Sequence, residues 1–251
     1  MRIGAVFLLF FSLNTFSAFR EVGNTSLEFV GQIKFSNRRC SGFIVKHGLL
    51  VTAKHCFTHF DVSPEDFSPK GTSVFFPGNG PSVLINTVKK LIFDSGENDI
   101  AYLTYDPSET LNKIDLGNFE ISKDIDLDLE IFRAGFSGEE TYSGDRILVK
   151  GCKFTKKTGY FPPMVTDPGY EGLLYDSECP AWYGDSGGPV ISSIDGKLFL
   201  IGVLSHTFEV DFAGEILPES IQKDRIGRYV KTSIVSPFSE ALDIWDLIKS
   251  E

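Results

Sequence analysis

The chain has 251 residues, 42% of them hydrophobic and 23% charged, with a formal net charge of −10. That length supports one or two domains with a proper core, and that apolar fraction excludes a disordered chain. The excess of acids (34 against 24 basic residues) argues against a nucleic-acid partner, because phosphate contacts need a basic face.

Met1-Arg2 is followed by an eleven-residue apolar run, Ile3–Leu13. A spanning helix needs about 20 apolar residues, so the run reads as a secretory signal peptide over 1–17. Thr15 and Ser17 supply small residues before a cut at Ala18, with a cut after Ala18 as the competitor. The expected mature protein, 18–250, is soluble, without stable membrane insertion, and secreted to an extracellular or periplasmic space. In such an oxidising compartment four cysteines are disulfide candidates with three connectivities. Local pairing, Cys40–Cys56 and Cys152–Cys179, is the first choice.

Short β-type runs dominate from there on. In the first half they are Val30–Phe35, Cys40–Val45, Leu49–Ala53, Thr72–Phe76, Val83–Phe93 and Asp99–Tyr105. A polar, acidic connector covers 106–128. The second half offers Leu129–Gly135, Ile147–Phe154, Gly172–Asp176, Gly188–Ser192, Lys197–His206 and Arg228–Val235. Ser236-Pro237 reads as the N-cap and first residue of a terminal helix with Phe238, Ala241, Leu242, Trp245 and Ile248 on one apolar face. Many short strands with turn signals mean a sandwich or barrel, and periodicity alone does not choose.

Three segments carry chemistry. Cys40–Cys56 holds a strand pair ending in His55, whose imidazole beside a disulfide would serve as a general base near neutral pH. Glu97-Asn98-Asp99-Ile100-Ala101-Tyr102-Leu103 opens an apolar strand with a carboxylate that can orient an imidazole. Gly184-Asp-Ser-Gly-Gly-Pro-Val190 exposes the Ser186 hydroxyl on a tight turn and lets the N–H groups of Gly184 and Ser186 converge as an oxyanion hole needs.

Together these segments resemble the trypsin/chymotrypsin-like serine proteases, most closely bacterial trypsin-like relatives. His55, Asp99 and Ser186 follow that family's order, at separations of 44 and 87 residues. The resemblance implies an all-β fold of two six-stranded antiparallel β-barrels with a C-terminal α-helix. The N-terminal barrel falls at about 25–110, the C-terminal barrel at about 125–235 and the helix at about 236–250. It implies a Ser186 nucleophile, His55 as base and acid, Asp99 as its partner, and acyl transfer without cofactor or metal. Its partners would be protein or peptide substrates and protein inhibitors, met by a monomer. The Ser205–Thr207 edge, with His206, would pair with substrate backbone, and Pro180 and Ala181 would stand at the specificity pocket.

Several positions depart from the family pattern. Lys54 replaces an alanine before His55, His206 stands where a tryptophan is common, and Trp182 occupies a usual cysteine position. Pro180 replaces the aspartate of trypsin-type pockets, so preference for Arg or Lys does not carry over. His206, Arg225 and Arg228 suggest an acidic side chain before the cut as an alternative. The resemblance also implies that a freed N-terminal amine pairs with Asp185, after cleavage at Arg20 or directly from the signal-peptidase terminus.

Three other readings compete. Gly184–Gly188 fits the G-x-S-x-G elbow of α/β-hydrolases, but only His206 follows Ser186 and alternating βα units are missing. His55 and His59 have zinc-pair spacing without the adjoining glutamate. An inactive protease homologue acting as a secreted binding module would keep the same motifs.

Overall fold

A computed structural model describes residues 19–22, 27–35, 38–58, 62–77, 82–96, 98–122, 129–136, 146–161, 170–177, 181, 184–195, 197–210 and 230–249. The signal-peptide segment, His59, Cys179, Pro180, Trp182, Arg225 and Arg228 lie outside them. The first sheet comprises β2 (Val30–Phe35), β3 (Arg38–Lys46), β4 (Leu49–Ala53), β5 (Thr72–Phe76), β6 (Val83–Ile85), β7 (Lys90–Phe93) and β8 (Ile100–Thr104). Its order is β6-β5-β2-β3-β4-β8-β7. The segment expected as one strand, Val83–Phe93, is two. Its first part pairs with β5 and its second with β8, so the broken strand bridges the two ends of the sheet.

The second sheet contains β10 (Glu130–Gly135), β11 (Ile147–Phe161), β12 (Tyr170–Ser177), β13 (Pro189–Ile194), β14 (Lys197–Val210) and β15 (Val230–Pro237). These six close a ring, because β12 pairs with both β15 and β11. Two short strands lie outside that ring. β1 (Phe19–Val22) runs antiparallel to β11, and β9 (Phe119–Ile121) runs parallel to β14. The all-β, chymotrypsin-like double-barrel class therefore holds.

Alternation builds both cores. On β5 the buried residues are Thr72, Val74 and Phe76, with half-buried Ser73 and Phe75 between them. Central strands such as β4 are buried at every position and read as continuous apolar runs. Phe29, Phe43, Val51, Leu103 and Phe238 belong to one core cluster, and Ile131, Val149, Val190 and Leu204 to a second.

Several contacts join the barrels. The Arg146 guanidinium donates to the Val30 carbonyl at 3.2 and 2.9 Å and to that of Pro77 at 3.1 Å. Burial draws this guanidinium down to about 10, against the attraction of Glu28. Ser41 N–H donates to the Ser186 carbonyl at 2.7 Å. The chain beyond β15 then returns to the first barrel. It forms a 3-10 turn (Phe238–Glu240) and a short helix, α2 (Ile244–Lys249), while α1 (His55–Thr58) follows β4.

The expected terminal helix is thus interrupted, and Ser236 closes β15 instead of capping a helix. Leu242 and Asp243 give their N–H groups to the Asp94 carboxylate at 3.1 and 3.0 Å. Those donors are spent outside the helix, so the helix starts only after them. Leu242, placed on the apolar face by its spacing, is exposed.

Candidate active site

The β4–β8 register sets the first two groups side by side. Ala53 pairs with Ile100, and just beyond them Lys54 N–H donates to the Asp99 carbonyl at 3.2 Å. His55 follows as the first residue of α1. Its backbone N–H donates to Asp99 Oδ1 at 2.7 Å, and its Nδ1 lies 2.6 Å from Asp99 Oδ2. Both residues are buried. An ionised carboxylate only accepts, so the proton of the neutral ring sits on Nδ1. Nε2 is left with its lone pair, the form a general base needs.

Two serines also hold Asp99. Ser205 Oγ donates to Oδ2 at 2.5 Å. The Asp99 N–H donates to Ser236 Oγ at 3.0 Å. A register shift between Leu204 and His206 marks a bulge at Ser205, which turns that one side chain toward the carboxylate. Ser205 therefore contacts Asp99, while His206 and Thr207 continue β14 opposite Ile234 and Ser233.

The Ser186 turn is fastened from the first barrel. Besides the Ser41–Ser186 backbone bond, Ser41 Oγ donates to the Gly184 carbonyl at 2.7 Å and accepts from Phe136 N–H at 2.8 Å. Thr52 Oγ1 holds the Ser41 carbonyl at 2.7 Å. Gly187 N–H donates to the Leu204 carbonyl, and Gly188 N–H to that of Asp185. The Ser186 carbonyl oxygen lies 4.0 Å from Cys56 Sγ, beside His55. Cys56 is disulfide-bonded to Cys40, so the expected first bridge is present. Cys152 is disulfide-bonded as well. Gly184 and Gly187 have φ of 93° and 86°, a region that L side chains rarely adopt. Ala181, expected at the pocket, is fully buried within the second core.

Asp185 has an internal cation beside it. Its Oδ2 meets Arg133 Nη1 at 2.8 Å, with both side chains buried. A guanidinium from β10 therefore shares the carboxylate to which the resemblance assigns a freed N-terminal amine. The Arg20–Glu21 bond, the proposed processing site, lies within β1 opposite Val149 and Leu148.

The comparisons follow the geometry. Residues 40–203, most of the chain, match the trypsin-like peptidase domain. The chain belongs to this family. Among solved structures, this trypsin-like peptidase is similar to the active form of Rv3671c protease from M. tuberculosis. The TM-score is 0.55 at 16% identity, covering 89% of this chain and 81% of that one. A Glu endopeptidase in complex with MPD gives a TM-score of 0.57 at 14% identity, covering 91% and 94%. At these identities the likeness is one of fold. No curated protein sequence matches the chain.

Sequence reasoning left Ser41, Thr52, Asp94 and Arg133 without roles, and gave Ser236 only that of a helix cap. Ser41 and Thr52 stand inside the motif that carries His55, and the small polar types within apolar strands were the available signal. Asp94 accepts from Tyr102 Oη at 2.6 Å, Asn98 Nδ2 at 2.8 Å and Gly96 N–H at 3.0 Å, in addition to the two terminal N–H groups. Burial alone would raise its carboxyl. The donors, Tyr102 foremost, hold it below the usual carboxylate range. Burial and the Asp94 bond raise the Tyr102 phenol in turn. This cluster anchors the turn that leads into Asp99.

Proposed function

We propose that this trypsin-like peptidase is a secreted serine endopeptidase working through Ser186, His55 and Asp99. The observation that carries the reading is the buried His55–Asp99 pair, with the Ser186 turn pinned to β3 beside Cys56. In this mechanism His55 Nε2 takes the Ser186 hydroxyl proton as Oγ attacks the scissile carbonyl carbon. Asp99 holds the Nδ1 tautomer and stabilises the imidazolium that forms. The N–H groups of Gly184 and Ser186 receive the developing oxyanion, since those of Gly187 and Gly188 are committed to carbonyls of the fold. The tetrahedral intermediate collapses to an ester of Ser186 as His55 returns its proton to the departing amine. Water, deprotonated by His55, then releases the acyl product. The Cys40–Cys56 bridge supports export, because such bonds persist in oxidising compartments.

A fluorophosphonate probe, which reacts with an activated serine, tests the reading on the exported protein. Wild type is expected to be labelled on Ser186, with labelling abolished in Ser186→Ala and reduced by at least about 1,000-fold in His55→Ala. An unlabelled wild type that resists unfolding normally would overturn it in favour of the inactive binding module.

A further inference from the structure

We infer that Lys34 and Arg39 form an acid-selective subsite for the part of the substrate that leaves, an inference that rests on the proteolytic reading above. The Ser186 turn is held between two strands. On one side Gly187 N–H bonds to Leu204 of β14, the strand whose Ser205–Thr207 edge the resemblance pairs with substrate backbone, here taken as the acyl half. On the other side Ser41 of β3 bonds to the Ser186 carbonyl. Substrate that continues past the cut therefore runs out over β3 and its partner β2.

The register of that pair decides what it meets. Gln32 lies opposite Ser41, and Lys34 lies opposite Arg39. Residues two apart on a strand share a face, so the face that carries Ser41 continues to Arg39 and Lys34. Gln32 and Ser41 are buried, whereas Lys34 and Arg39 are exposed. The step from Ser41 to Arg39 is about 7 Å, the reach of two extended residues. The paired cations thus stand where the second or third residue after the cut would lie.

Their placement is unfavourable without an anion. Like charges directly opposite on one face of an antiparallel pair repel. The two cations nonetheless face each other in a chain of net charge −10. On the loop whose Phe67 ring lies 6.0 Å from that of Phe35, Asp66 is turned onto Ser63, whose Oγ donates to it at 2.8 Å, and Glu65 is exposed. A substrate carboxylate between Lys34 and Arg39 would relieve the repulsion and hold the leaving chain in register.

The test is digestion of a proteome-derived peptide library, with cut sites read by mass spectrometry. Because the acyl half is varied throughout, the preference before the cut need not be known. Wild type is expected to enrich Asp and Glu over Lys and Arg at the second and third positions after the cut by about five-fold, the scale of exposed ion pairs. The enrichment should vanish in 1 M salt, where screening is nearly complete. Lys34→Glu/Arg39→Glu should reverse it, and Lys34→Arg/Arg39→Lys should keep it. Fluorophosphonate labelling of each variant separates a lost preference from a lost fold. Equal use of acids and bases by wild type, or a preference unmoved by charge reversal in a labelled variant, overturns the inference. Absence of both labelling and cleavage in wild type fails the proteolytic reading, and this subsite with it.

Discussion

Gly187 is held tightly in the Ser186 turn. A Cβ there would lie 2.2 Å from the Ser41 carbonyl oxygen and 2.2 Å from Thr52 Oγ1. Neither atom can yield, since Ser41 is fixed by Ser186 and Thr52 by Ser41. The positive φ adds roughly 1–2 kcal/mol for any L side chain. Gly187→Ala should therefore shift the Ser186 turn and lower fluorophosphonate labelling by about 100-fold or more, the effect of a misplacement near 1 Å. Gly71→Ala is the control. It shares a φ of 90° but meets nothing within 4 Å, so it should cost stability and leave labelling alone. At this scale the reading from sequence named the proposed triad and stopped short of the residues that hold it. Gly-Asp-Ser-Gly-Gly is a local signature, whereas the role of Ser41 depends on a contact 145 residues away, with Ser186.

Elements bounded by local signals were legible almost to the residue. β2, β4 and β5 fall on the segments predicted from their β-branched and aromatic runs. Val83–Phe93 was not, and the cause is tertiary. The Glu109 carboxylate accepts from Asn86 N–H at 3.0 Å and Thr87 N–H at 3.1 Å, so those donors leave the ladder and the strand breaks. The interrupted C-terminal helix has the same kind of cause in Asp94, and here the energetics are testable. The Asp94 carboxyl is more acidic in the fold than in the unfolded chain. Its contribution is present above the unfolded value of 3.8 and is lost as pH falls through the lowered folded value. Asp94→Asn should cost about 3 kcal/mol at pH 7, as expected for charge-assisted bonds in a buried cluster. The gap from wild type should begin to narrow as pH falls below the unfolded value of 3.8. Urea unfolding at pH 7 and pH 3 reads both; an equal gap at the two values would show that the charge contributes nothing.

Across the whole molecule, the Arg133–Asp185 pair sets an internal cation against the carboxylate expected to meet a terminus. Removing one partner leaves the other charged and buried, which costs about 3–5 kcal/mol. Arg133→Met should lose stability on that scale and lose labelling with it, because Asp185 adjoins Ser186. Arg133→Met/Asp185→Asn should recover a large part of the stability. A residue tag added ahead of Ala18 should leave labelling at the wild-type level where Arg133 by itself neutralises Asp185. Failure of the tagged protein to label, with recovery on removing the tag, would restore the terminal amine to that role. Neither Arg133 nor its partner could be paired from sequence, since a lone arginine in an apolar run carries no mark of what it will face.

The C-terminal return also orders events in time. Asp99 and Asp94 lie in the first half of the chain, yet their last partners are Ser236, Leu242 and Asp243. During synthesis the first barrel can collect its apolar strands well before those residues exist. The carboxylate that orients His55 must then wait, with its own N–H unclaimed by Ser236. A nascent chain is consequently a poor hydrolase until its final segment has been made and has docked.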